Sequence, residues 1–94
     1  MVTILTSCSV LMGKREEFES VFNIIKDLYI KEGADLIGFW WTLGGDANSC
    51  VWMLKWNTFD SYQQGKKAVQ GNSVYPLNEL SSIVISYNEK ILEE

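Results

Sequence analysis

Two neighbouring stretches decide how this chain is read: Leu36-Ile37-Gly38-Phe39-Trp40-Trp41-Thr42-Leu43 and Ser49-Cys50-Val51-Trp52-Met53-Leu54-Lys55-Trp56. They hold all four tryptophans of the chain, and each has the length and the β-branched and aromatic content of a strand. Gly44-Gly45-Asp46-Ala47-Asn48 lies between them and is rich in residues that tolerate positive φ, so the pair reads as an antiparallel hairpin. Strand side chains alternate faces, which points adjacent Trp40 and Trp41 opposite ways. Ile37, Phe39, Trp41 and Leu43 fall on one face of their strand, and Leu36, Gly38, Trp40 and Thr42 on the other. In the second strand, Cys50, Trp52, Leu54 and Trp56 oppose Val51, Met53 and Lys55. Both faces of the sheet are therefore expected to carry large apolar side chains.

Working outward, Val2–Val10 alternates Val2, Ile4, Thr6, Cys8 and Val10, the more apolar and core-facing set, against Thr3, Leu5, Ser7 and Ser9. A helix is predicted from about Lys14 to Glu32, because Phe18, Val21, Phe22, Ile25, Leu28 and Tyr29 form one apolar stripe. Glu16 and Glu17 suit its N-terminal turn, Lys26 and Lys31 its later turns, and Gly33 its stop. Asn57 and Thr58 are candidate caps for a second helix over Phe59–Val69, with Phe59, Tyr62, Lys66 and Val69 on one face. Gly65 inside it costs about 1 kcal/mol relative to alanine. Pro76 starts a short extra helical turn, and Ser81–Leu92 reads as the last strand.

The order β-α-β-β-α-β, with right-handed crossovers, gives an α+β ferredoxin-like plait: a four-stranded antiparallel sheet with two helices on one face. Residues 1–94 form a single domain. The helices cover one face only. The helix-free face is then expected to bury its apolar residues in a homodimer across a two-fold axis.

Composition narrows the function classes. A net charge of −4 disfavours nucleic acid and anionic membrane surfaces as partners, since nucleic acid is bound chiefly through Lys and Arg. No apolar run approaches the roughly 20 residues of a membrane span, and the start lacks a basic signal-peptide region, so the expected compartment is the cytoplasm. Cys8 and Cys50 form no CxxC pair, and the chain has no histidine to complete a zinc site, so no metal site and no cofactor are expected. Both cysteines read as buried, reduced thiols, with a disulfide open only if their strands are neighbours. GxSxG, P-loop and GxGxxG patterns are absent. Asp35 and Glu89 read as solvated strand-end charges, and Lys66-Lys67 as a solvated helix face.

Short motifs point to a family. Met12-Gly13-Lys14-Arg15-Glu16-Glu17-Phe18 resembles the helix opening of dimeric α+β-barrel proteins. Leu54-Lys55-Trp56-Asn57-Thr58-Phe59-Asp60-Ser61-Tyr62 resembles their third-strand ending and capped helix. Leu36-Ile37-Gly38-Phe39-Trp40 with Gly44-Gly45 is similar to the second strand of the NIPSNAP and antibiotic-biosynthesis-monooxygenase branches. The resemblance implies a dimeric α+β barrel around a cavity, in a superfamily of cofactor-free oxygenases, haem-degrading enzymes and proteins of unknown activity.

The haem-degrading pattern fails residue by residue. Its Asn, Trp and haem-ligating His positions fall on Ser7, Gly65 and Tyr75, and no histidine exists elsewhere. Cofactor-free oxygenation needs a positioned base, and histidine, the most versatile one, is missing. Two readings follow. One is a binding or structural dimer with an aromatic-lined interior that takes a small apolar or aromatic ligand. The other is a cofactor-independent monooxygenase acting on an aromatic or quinol-type compound. No catalytic residue is assigned. Trp40, Trp41, Trp52, Trp56 and Tyr75 are the candidate lining, with the cavity side of the sheet left open.

Overall fold

The computed structural model of the chain describes residues 1–42 and 48–93. The elements are β1 (Val2–Val10), α1 (Arg15–Lys31), β2 (Asp35–Trp41), β3 (Ser49–Trp56), α2 (Phe59–Gln70), α3 (Leu77–Ile83) and β4 (Val84–Glu93). The strands form one antiparallel sheet in the order β2-β3-β1-β4. This is the ferredoxin-like α+β arrangement, with one short helix added before the last strand. The predicted turn at Gly44–Ala47 lies outside the described residues, as does Leu43. Asn48 at its end has φ 67°, a left-handed conformation that Asn tolerates.

α1 forms where the apolar stripe predicts it. Phe18, Val21, Phe22, Ile25 and Tyr29 are buried, and Leu28 packs beside them. Gly33, at φ 107°, ends the helix, and Ala34 N–H then donates to the Tyr29 carbonyl. At α2 the Thr58 hydroxyl accepts from Ser61 N–H at 3.0 Å, so Thr58 rather than Asn57 is the cap. Tyr62, Gly65 and Val69 are the buried side of α2, while Phe59 is largely exposed.

Two bulges correct the strand reading. Leu36 pairs with Leu54 and Gly38 with Met53, leaving Ile37 as the extra residue. Leu36 therefore joins Phe39 and Trp41 on the helix side, and Ile37 is half exposed. In β4 the register slips between Ser9 and Val10, which leaves Ile85 unpaired and puts Val84 on the same side as Tyr87. Ser81–Ile83, expected in the last strand, instead complete α3, where Pro76 supplies the N-cap position.

The core is one cluster between sheet and helices. Phe22 lies 4.5 Å from Phe39 and 5.1 Å from Trp52, centroid to centroid, and Phe18 touches the same group. Both sheet faces carry large apolar side chains, as expected, but the tryptophans are divided unevenly between them. Trp41, Trp52 and Trp56 sit on the helix-covered side, and of the four tryptophans only Trp40 lies on the helix-free side. There its indole lies over Gly38, where a Cβ would collide with it. That face alternates Leu5, Val51, Met53 and Leu92 with Ser7, Ser9, Ser86 and Asn88. No helix among the described residues is long and apolar enough to cross a membrane.

Candidate functional site

The aromatic cavity lies inside the protomer, between the sheet and its helices, and its volume is about 290 Å³. β1 supplies Ile4, Thr6 and Cys8 to its floor, and β3 supplies Trp52, Leu54 and Trp56. Phe18, Ile25 and Tyr29 of α1 and Tyr62 of α2 form the roof. Tyr75, from the segment joining α2 to α3, closes one side with Leu80. Gln70, Ser81 and Tyr87, all exposed, mark the mouth.

The strand ladder explains this placement. Thr6 pairs with Trp52 on one side and Glu89 on the other, and Cys8 pairs with Cys50 and Tyr87. One row of the pleat therefore carries Trp52, Thr6 and Glu89 across three strands, all on the helix side. α1 and α2 cover β2, β3 and β1 well but leave β4 open, so the β4 side becomes the entrance.

Trp56 lies at the bottom of the cavity. Tyr29 meets its ring edge-on at 6.1 Å and Tyr62 at 6.2 Å. Gly65 of α2 sits against the indole's six-membered ring, where any Cβ would overlap it. The indole Nε1–H is buried and has no acceptor among the described residues. The Tyr29 and Tyr75 hydroxyls likewise make no hydrogen bond there, whereas Tyr62 and Tyr87 both do.

Glu89 organises the polar wall. Its Oε1 accepts from the Tyr62 hydroxyl and, at 3.1 Å, from Lys66 Nζ. Its Oε2 accepts from the Tyr87 hydroxyl at 2.8 Å. Lys66 Nζ also lies 3.3 Å from the Tyr62 oxygen. Burial pushes the Glu89 carboxyl upward, but these three donors and the lysine charge outweigh it, holding the pKa below the ordinary glutamate value. Burial also works against the Lys66 ammonium, and Glu89 with Tyr62 holds it above the usual lysine value. Tyr29 and Tyr75 are pushed up by burial, Tyr29 further by its phenol neighbours and Glu89. Tyr62 is raised by burial and by Glu89. Near neutral pH the wall thus presents an ionised carboxylate and protonated phenols.

Of the candidate lining, Trp52, Trp56 and Tyr75 border this cavity. Trp41 does not: its Nε1–H donates to Glu19 at 2.6 Å and Arg15 stacks 4.5 Å over its ring, at the outer end of α1. Trp40 is on the opposite side of the sheet. The solvated readings of Glu89 and Lys66 are corrected, because they pair with each other against two phenols. The signal was present in the sequence: a lysine in the apolar stripe of α2, four residues after Tyr62. Tyr29, Tyr62 and Tyr87 were missed as site residues because they come from three elements that only the fold brings together. No cluster of three metal-ligating side chains occurs among the described residues.

Among solved structures, the chain superposes on an uncharacterized NIPSNAP domain protein from Burkholderia xenovorans with a TM-score of 0.83 at 16% identity, covering 100% of this chain and 94% of that one. A NIPSNAP family protein of unknown function from Agrobacterium tumefaciens gives 0.85 at 12% identity, covering 100% and 87%. SnoaB, a cofactor-independent oxygenase from Streptomyces nogalater, gives 0.71 at 17% identity, covering 99% and 91%. No protein-family model matches the sequence, and neither does any curated protein. The likeness, at these identities, is one of fold. The chain has the ferredoxin-like α+β fold of the NIPSNAP proteins and of the antibiotic-biosynthesis-type monooxygenases, its neighbours in structure.

Proposed function

We propose that this chain binds a compact aromatic compound bearing carbonyl or phenolic oxygens in the cavity between its sheet and helices. The observation that carries this reading is the buried indole N–H of Trp56, which has no acceptor among the described residues, set in the wall of an apolar cavity beside the Tyr29 and Tyr75 phenols. A buried donor without an acceptor costs about 1–3 kcal/mol, which a ligand oxygen would recover. The aromatic walls favour a flat ring system, and a volume of about 290 Å³ limits it to a small one. Titrating a hydroxynaphthoquinone against tryptophan fluorescence tests this. Saturable one-to-one quenching is expected, weakened by Tyr75→Phe and abolished by Ser81→Trp at the mouth.

The expected assembly is a homodimer through the helix-free face, with Trp40, Leu5, Val51, Met53 and Leu92 as its apolar contacts. In this reading the dimer is a scaffold for the site rather than the wall of its interior. The cytoplasm suits a chain whose two cysteines are free although directly opposed.

A second reading, cofactor-independent oxygenation of the same compound, is favoured by one specific feature. Glu89 is the carboxylate among the cavity-lining residues, and it is held ionised beside Tyr87 at the mouth. It can accept a proton from an acidic hydroxyl of the bound ring, leaving an electron-rich anion exposed to dioxygen. SnoaB, which shares the fold, is a cofactor-independent oxygenase. Dioxygen uptake that depends on both quinol and protein, and is lost in Glu89→Gln, would distinguish catalysis from binding.

A further inference from the structure

We propose that Cys8 and Cys50 are a reversible redox pair that closes to a cross-strand disulfide when a peroxide oxidant enters the cavity. The two residues are direct partners on adjacent antiparallel strands, with both side chains on the helix side of the sheet. Both are free thiols and both are buried. Val10 N–H donates to the Asn48 carbonyl at 2.9 Å, two residues after Cys8 and two before Cys50, so the ladder's alternation makes Cys8 and Cys50 a hydrogen-bonded pair. Such pairs have Cα atoms about 5.5 Å apart, within the disulfide range, and Cβ atoms about 5 Å apart, so the two strands must draw together slightly for the bond to close. The Cys50 Sγ lies 3.7 Å from the Cys8 carbonyl oxygen, so its thiol already leans toward the neighbouring residue.

The two thiols differ in access. Cys8 lines the cavity and Cys50 does not. Cys8 is therefore the attacking sulfur. Its thiolate attacks one oxygen of hydrogen peroxide, the O–O bond breaks, and the released hydroxide takes a proton to become water. The Cys8 sulfenic acid is then attacked by Cys50 sulfur; the S–O bond breaks, the hydroxyl leaves with the Cys50 proton as a second water, and the S–S bond forms. Two electrons pass from the dithiol to the peroxide.

The test is intact mass and thiol titration of the folded protein after peroxide treatment, with circular dichroism recorded to check that each variant is folded. The expected product is a chain that has lost two hydrogens, migrates as a single chain without reductant, has no titratable thiol in denaturant, and regains both thiols with dithiothreitol. In Cys50→Ser, Cys8 should gain oxygen instead. In Cys8→Ser, Cys50 should stay reduced under the same treatment. Wild-type protein that keeps both thiols, that gains oxygen on each cysteine separately, or that forms a covalent dimer would overturn the proposal, as would rapid oxidation of Cys50 in Cys8→Ser.

Discussion

Gly65 of α2 lies directly against the six-membered ring of Trp56, with no room for a Cβ between them. This contact lets α2 approach the sheet closely enough for Tyr62 to reach Glu89 while Trp56 stays flat beneath the cavity. Helix propensity alone favours Gly65→Ala by about 1 kcal/mol. Overpacking costs about 1–3 kcal/mol, so the contact should win. The expected result is a destabilised variant in a denaturant titration; a more stable one would mean that Trp56 moves aside freely.

Phe22 packs on both Phe39 and Trp52, under the middle of α1. Phe22→Ala should cost about 3–5 kcal/mol, a large part of the stability of a domain this small. Chemical denaturation monitored by tryptophan fluorescence measures it directly.

Glu89 predicts an acid-side stability profile. Its folded pKa lies below the ordinary value because Tyr62, Tyr87 and Lys66 favour the carboxylate over the opposing effect of burial. The associated stability is therefore present above the unfolded glutamate pKa and is lost as pH falls through the folded one. Glu89→Gln should be less stable at neutral pH by about 1.5–3 kcal/mol, the range for hydrogen bonds to a charged group. It should also lose that part of the acid dependence. A wild type and variant with parallel profiles between neutral and acid pH would contradict the assignment.

The chain has no histidine, and Tyr75, the one candidate for iron ligation weighed from the sequence, lies in the cavity wall. Hemin titration should give no saturable Soret shift. A tight one-to-one complex would show that Tyr75 or another group ligates the iron.

The helix-free face predicts a homodimer at micromolar concentration. Exposed Trp40 and Leu92, with Leu5, Val51 and Met53 on the same face, leave apolar surface that a second copy can cover. Sedimentation should give a species of twice the 10.7 kDa chain mass. A folded monomer at that concentration would overturn the dimer while leaving the cavity within the protomer intact.

The element order was legible because it rests on local signals. The α1 stripe, the alternation of Val2–Val10 and Thr58 before α2 each carry their own physics within a short window. The sheet faces were only half legible. A bulge at Ile37 moves Leu36 to the other side of the strand; Gly38 beside it, a residue type that marks a bulge or a close backbone approach, hints at the place but not at which residue is extra. Trp52, Trp56 and Tyr75 border the candidate site, but the sequence reading set them around a barrel interior between two copies rather than between sheet and helices of one, and it left Glu89 out. A carboxylate late in a strand looks like a solvated charge until β4 pairs with β1 and sets it opposite Thr6, facing Tyr62 and Lys66 of α2. That juxtaposition joins residues far apart in the chain, which periodicity cannot report.

The central claim is that the ligand site lies between sheet and helices within one protomer. A crystal structure of the protein soaked with a hydroxynaphthoquinone tests it most directly. The account predicts density against Trp56, with ring oxygens within hydrogen-bond distance of Tyr75 and Tyr29. Density confined to the helix-free face, or a cavity left unoccupied at saturating quinone, would contradict it.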